Sequence, residues 1–161
     1  MAKTALQFRH NDHDVAVFVE GGESLLVALR DGVGDHSPKF GCGQGGCGAC
    51  TVLIDGEAHL SCVTLAEMAE GRSIETADGL KTGPALHPLQ KAFMEHFAAQ
   101  CGYCTPGMLM AAKALLNRNP HPSRQDVVEA IGGNICRCTG YEPIINAILS
   151  AATSSSGAAR A

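Results

Sequence analysis

Apolar and polar residues alternate in two short runs near the start of the chain. Thr4–Arg9 and Val15–Glu20 lie on either side of the polar turn Asn11-Asp12-His13-Asp14. A period of two marks a half-buried strand, so these runs predict the first two strands. Ser24 stands just before Leu25–Arg30 and predicts a short capped helix that stops near Gly32. Thr51–Ile54 and Glu57–Ser61 flank Asp55-Gly56. That dipeptide favours a tight hairpin because both turn residues must take positive φ. A helical turn around Leu65–Ala69 and a last strand at Ser73–Thr76 complete a small α+β domain over residues 1–76.

The pattern then changes. Residues 77–86 contain two glycines and a proline and have no periodicity, which predicts a linker. Pro88 suits the first turn of a helix reaching Ala98. Thr105-Pro106 reads as a cap followed by a first-turn proline, opening a helix to about Asn117, and Asn119-Pro120-His121-Pro122 breaks it. Ser123 and Asp126 have the spacing of a capping box and open Arg124–Ile131, which Gly132-Gly133 ends. Pro143 opens a last helix to about Ala152. Four short helices with short links predict an all-α four-helix bundle over residues 87–152. The Ser/Ala-rich residues 153–161 predict a flexible tail.

Composition narrows the function classes. The chain has 161 residues and a net charge of −4, from 12 basic and 16 acidic side chains. A nucleic-acid binder would present a basic face, and aromatic residues, at 4% with no Trp, are too few for base stacking. Apolar residues make up 45%, enough for a packed core. No run approaches the ~20 apolar residues of a membrane span. Met1–His10 has neither an apolar signal core nor a twin arginine, so the expected compartment is the cytoplasm. Eight cysteines are unusual where thiols stay reduced, and they point to metal rather than to disulfides.

The cysteines fall into two sets of four with none left over. Cys42, Cys47, Cys50 and Cys62 read C-x4-C-x2-C-x11-C. Cys101, Cys104, Cys136 and Cys138 read C-x2-C-x31-C-x-C. The first set opens with the spacing of plant-type 2Fe–2S proteins. Gly41, Gly43, Gly45, Gly46 and Gly48 surround it. A loop of that kind can wrap a cluster and aim backbone N–H groups at sulfur. With its four thiolates the cluster is an anion, and reduction adds another negative charge. Donors to sulfur therefore favour the reduced form and raise the potential. The second spacing, taken alone, suits zinc as well as iron–sulfur, because the helix N-termini near Cys104 and Cys138 would stabilise any four-thiolate site. The seven histidines fall in no ligand pattern and read as surface or structural residues. The acidic residues show no pairing for acid–base catalysis, so no catalytic residue is expected on this chain.

Three motifs now bear on a family. Lys39-Phe40-Gly41-Cys42-Gly43-Gln44-Gly45-Gly46-Cys47-Gly48-Ala49-Cys50-Thr51-Val52 resembles the first cluster loop of the molybdenum hydroxylases, the family of xanthine dehydrogenase and aldehyde oxidase. Gln100-Cys101-Gly102-Tyr103-Cys104-Thr105-Pro106-Gly107-Met108 resembles its second signature, and Gly133-Asn134-Ile135-Cys136-Arg137-Cys138-Thr139-Gly140-Tyr141 its third. The resemblance runs from about residue 4 to about residue 152. It implies a plant-type ferredoxin-like (β-grasp) domain followed by a four-helix-bundle domain, each holding a 2Fe–2S cluster. It also implies that the bundle's cluster faces molybdopterin and the other faces FAD. By the motif match, Cys138 is the ligand nearest the pterin, and Gln100 hydrogen-bonds the pterin.

The chain has no room for a molybdenum or flavin domain. It is similar to the separate small subunits of multi-subunit members such as carbon monoxide dehydrogenase and 4-hydroxybenzoyl-CoA reductase. The implied role is an electron-transfer subunit, and the substrate is set elsewhere. A free ferredoxin or a zinc-stapled interaction module are the competing readings. Cys104-Thr105-Pro106-Gly107 and Cys138-Thr139-Gly140-Tyr141 match the style of the flavin-containing enzymes. They imply a molybdopterin subunit and an FAD subunit as partners, doubled by two-fold symmetry. Two departures from the family pattern stand out. Gln44 replaces a commonly acidic residue, and Val33-Gly34-Asp35-His36-Ser37-Pro38 differs from the usual run, leaving the shape of that loop open.

Overall fold

Strand β1 (Lys3–His10) pairs antiparallel with β2 (His13–Glu20), from Lys3 opposite Glu20 to His10 opposite His13. The two-residue turn between them puts Asn11 at φ 46° and Asp12 at φ 69°. Positive φ at both central positions matches the right-handed twist of the strands. The computed structural model describes residues 3–158. Leu6 and Phe8 of β1 and Val17 and Val19 of β2 share one face and are buried in the first core.

The Ser24 hydroxyl accepts from the Val27 N–H and caps α1 (Leu25–Val27). The helix then widens into a π-helical turn, Ala28–Val33, closed by Gly34 at φ 85°. The sequence predicts an ordinary α-helix here. The single turn of widening brings Asp35 inward. Strand β3 (Thr51–Ile54) and β4 (Glu57–Leu60) form the expected hairpin, with Asp55 at φ 51° and Gly56 at φ 86°. A 3-10 turn, Ala66–Ala69, leads to β5 (Ser73–Glu75), which sits between β1, parallel, and β3, antiparallel. The sheet order is β2-β1-β5-β3-β4.

Strand β3 is buried along its whole length. Val52 and Ile54 face the first core with α1, and Leu53 faces a second core built by the helices. An unbroken apolar run is what a strand covered on both faces requires. Residues 77–86 begin with a 3-10 turn, Ala77–Leu80, whose Ala77 and Leu80 are packed into that second core.

Helix α2 (Pro88–Glu95) is capped by His87, with Gln90 completing a capping box, and it ends short of the expected Ala98. Helix α3 (Thr105–Arg118) carries the longest buried stripe, including Met108, Met110, Ala112 and Leu115, and lies against β3. Its N-cap is Cys104 rather than Thr105. Cys104 already has helical dihedrals, so Thr105 falls inside the first turn, and its hydroxyl is buried without a partner. Helix α4 (Arg124–Ala130) starts with the Ser123/Asp126 capping box as expected. Helix α5 (Glu142–Ala158) packs on α2 and α4 and runs past the expected end near Ala152. The tail expected at residues 153–161 is therefore helical as far as Ala158, and residues 159–161 lie outside the described residues.

Candidate metal centres

The first four cysteines sit on the loop between the π-helical turn and β3 and on the turn after β4. Glycine is required in this loop for reasons of space. A side chain at Gly41 would come within 2.7 Å of Cys47 Sγ, and Gly43 and Gly45 stand at φ 68° and 78°. Tight winding turns backbone donors onto sulfur. The Gly46 N–H reaches Cys42 Sγ at 3.2 Å. The Gln44 N–H, the Cys47 thiol and the Gly46 N–H bring the Cys42 thiol down to about 7. Burial instead pushes the Cys50 thiol up to about 11, with Cys62 beside it. The set thus divides into a donor-rich pair, Cys42 and Cys47, and a pair with its buried end at Cys50, Cys50 and Cys62.

The second set divides the same way. Cys138 Sγ and Cys101 Sγ are 3.6 Å apart and both residues are exposed. Cys104 and Cys136 are in thiol contact further inside, and burial followed by the neighbouring Cys136 pushes the Cys104 thiol up to about 12. Burial also acts to raise the Cys136 thiol. The Thr139 hydroxyl and N–H, the Cys138 N–H and the Cys104 thiol together outweigh it, and the net shift is downward.

Two pairs per set suit a two-iron cluster, in which each iron takes two thiolates. The buried Cys50 and the half-buried Cys104 resist ionisation, so a metal held there would have to displace the proton.

The two sets are joined through backbone. The Ile135 N–H donates to the Cys47 carbonyl at 2.9 Å, placing a cysteine of one set one residue from a cysteine of the other. The Tyr103 hydroxyl donates to the Phe40 carbonyl at 2.7 Å. The side-chain amide of Asn134, itself buried, donates to the Gly48 carbonyl at 2.9 Å. A side chain at Gly48 would strike the Gly133 carbonyl and Asn134, and one at Gly107 would strike the Gly48 carbonyl. Gly48, Gly107, Asn134 and Tyr103 therefore dock the helices on the cluster loop. The sequence places them in motifs without showing this work, and the only signal is their closeness to cysteines.

The unusual run at residues 33–38 is pinned as well. Asp35 is buried and accepts from the Thr76 hydroxyl at 2.6 Å and the Ser37 N–H at 2.8 Å, with His10 Nε2 at 2.9 Å. Burial acts to raise the Asp35 carboxyl, but the hydrogen bonds from His10, Thr76 and Ser37 prevail and hold it well below the usual carboxylate range. Gln100 is exposed beside Cys101, and Gln44 is exposed with only its backbone turned to Cys42.

The comparisons with known proteins agree with this geometry. A 2Fe–2S iron–sulfur cluster binding domain matches residues 8–78, and a 2Fe–2S binding domain matches residues 76–149. The chain belongs to the iron–sulfur small subunits of the molybdenum hydroxylases. This small subunit is 51% identical over 135 residues to the nicotine 6-hydroxylase small subunit of Paenarthrobacter nicotinovorans, covering 84% of this chain and 81% of that one. It is 41% identical over 148 residues to the nicotinate dehydrogenase small FeS subunit of Eubacterium barkeri, covering 92% and 94%. A chain of the crystal structure of quinoline 2-oxidoreductase from Pseudomonas putida 86 superposes with a TM-score of 0.93 at 47% identity, over 96% of this chain and 97% of that one. The small subunit carries two 2Fe–2S centres and serves electron transfer in an oxidoreductase with larger partner subunits. No helix among its described residues is long and apolar enough to cross a membrane.

Proposed function

We propose that Cys42, Cys47, Cys50 and Cys62 hold one 2Fe–2S cluster and Cys101, Cys104, Cys136 and Cys138 the other. A 2Fe–2S cluster supplies a one-electron couple. The chain's own work is to hold the two clusters at a set spacing and present one edge of each to a partner. The observation that carries this reading is the division of each four-cysteine set into two contacting pairs, with the loops of the two sets hydrogen-bonded to each other.

In this reading the exposed edge at Cys101 and Cys138, with Gln100 beside it, meets the molybdopterin subunit, and the first cluster meets the FAD subunit. The enzyme is a cytoplasmic dimer of heterotrimers. A free ferredoxin fits less well. Leu86, Met94 and Phe97 are exposed around an apolar groove of about 450 Å³ that reaches Ala99 and Thr105, next to the second cysteine set. Cover by a larger partner chain accounts for such a patch.

Metal analysis of the purified chain tests the ligand sets, with about four iron and four acid-labile sulfide expected for two clusters. Stoichiometric zinc would overturn the reading. Cys47→Ser is expected to change only one of two reduced-cluster EPR signals and Cys104→Ser only the other. Purification of the native complex with release of its cofactors tests the partners. Molybdenum with no flavin in a complex active with its own acceptor would refute the three-subunit arrangement.

A further inference from the structure

The loop Cys136–Tyr141 is closed on itself by side chains. Thr139 Oγ1 lies 3.1 Å from Cys136 Sγ. The same oxygen accepts from the Tyr141 N–H at 3.2 Å. The Cys136 N–H in turn donates to the Tyr141 hydroxyl at 3.0 Å. This ring requires two successive left-handed residues, Gly140 at φ 69° and Tyr141 at φ 69°. A tyrosine in that region is strained, and the contacts around it must hold it there. The Tyr141 ring is packed against the helical core, which supplies that hold.

The polarity of the Thr139 contact follows from chemistry. Its oxygen already accepts from Tyr141, so its own proton is free to be given. A cysteine bound to iron is a thiolate with no proton to give. The hydroxyl is therefore the donor and sulfur the acceptor. Cys136 is the buried member of its set, so this donor acts where water screens least.

The geometry points to Thr139 as a positioning residue that sets the reduction potential of the second cluster through Cys136 Sγ, with Tyr141 aiming its hydroxyl. A donor to ligand sulfur stabilises the reduced form, which carries one more negative charge, so it raises the potential. The inference rests on the proposed ligation by Cys101, Cys104, Cys136 and Cys138. It adds a role for a residue outside both cysteine sets.

The test is a redox titration of the full chain, followed by the EPR signals of its two clusters. Thr139→Val removes the proton and keeps the shape. At a fixed applied potential the reduced-to-oxidised ratio of the second cluster is expected to fall about tenfold, a shift of about 59 mV for a one-electron couple. The other cluster's midpoint should stay unchanged, and Thr139→Ser should restore the second. If the valine variant loads no second cluster, Thr139→Ala carries the same comparison. An unchanged midpoint in a loaded Val or Ala variant overturns the inference, as does an equal shift of both clusters or a serine variant that behaves like valine. Failure of the unaltered chain to take up a second cluster would instead refute the ligand assignment.

Discussion

The Ile135 N–H and the Cys47 carbonyl meet at 2.9 Å, and this one hydrogen bond joins the backbones of the two cysteine sets. Cys136 follows Ile135 directly. The spacing between the sets is thereby held by a contact between ligand loops as well as by domain packing. Ile135→Pro deletes the donor and leaves the Cys47 carbonyl without this partner. Water can reach this half-exposed contact, so the net worth of the hydrogen bond is about 0.5–1.5 kcal/mol. The expected outcome is a loss of that size in denaturant unfolding. Intramolecular electron equilibration, followed by rapid-freeze EPR, should slow. Unaltered stability and unaltered equilibration would show that packing alone sets the spacing.

Gly48 is constrained in this contact both by its backbone conformation and by its neighbours. It stands at φ 71°, and a side chain there would lie 2.5 Å from the Gly133 carbonyl and 2.6 Å from Asn134 Nδ2. Overpacking of this kind costs about 1–3 kcal/mol, and the left-handed backbone adds about 1–2 kcal/mol for a residue with a Cβ. Gly48→Ala is expected to lower the unfolding free energy by more than Gly46→Ala, whose added carbon meets nothing within 4 Å. Equal losses in the two variants would mean that the helical domain gives way without strain.

The buried Asp35 makes a prediction about acid. Its carboxyl is held below the usual range in the folded chain, so the folded state favours the ionised form. The stability it contributes is fully present above the unfolded-state value of about 3.9 and is lost as pH falls toward the lower folded-state value. Asp35→Asn should therefore lose about 1.5–3 kcal/mol near neutral pH, the range for hydrogen bonds to a charged group. Its deficit against the parent should stay level from roughly pH 8 to pH 5 and narrow only below about pH 4. Denaturant unfolding at several pH values measures this. A deficit that grew on acidification would contradict the sign.

What can be read from the sequence is what short-range rules govern. Asp55-Gly56 announces a hairpin because two adjacent residues decide that turn, and Ser123 with Asp126 announces α4 because a cap spans one helical turn. The cysteines announce candidate metal ligands because thiolate chemistry is written in the residue type. The docking of one set on the other is not legible. Asn134 and Gly48 are 86 positions apart, and neither needs an unusual neighbour to make the contact. His10 and Asp35 are 25 apart, and the histidine reads as an ordinary turn residue until the π-helical turn brings the carboxylate inward. Thr105 reads as a cap because Thr-Pro is a strong local signal, yet Cys104 takes that position with helical dihedrals.

Phe97 leads to the last prediction. Helix α2 ends with the Ala98 N–H on the Phe93 carbonyl and the Phe97 N–H on the Met94 carbonyl, with Phe97 in the left-handed region at φ 53°. Glycine is the usual residue there, since any Cβ raises the energy of that conformation. Phe97 is moreover 82% exposed, so its ring gains almost no burial within this chain to offset the strain. A bulky aromatic held strained and exposed, on the rim of an apolar groove beside the second cysteine set, is accounted for if the partner subunit covers it. Phe97→Gly should then act with opposite signs. The isolated chain should gain about 1 kcal/mol in unfolding free energy from relief of the left-handed strain. Its affinity for the molybdopterin subunit should fall by ~2 kcal/mol or more, as for an aromatic anchor in an interface. Iron and sulfide content should not change. Denaturant unfolding of the chain alone and titration calorimetry against the large subunit give the two numbers separately. A variant that gains stability and binds as tightly as the parent would leave Phe97 outside the interface and the groove without this partner.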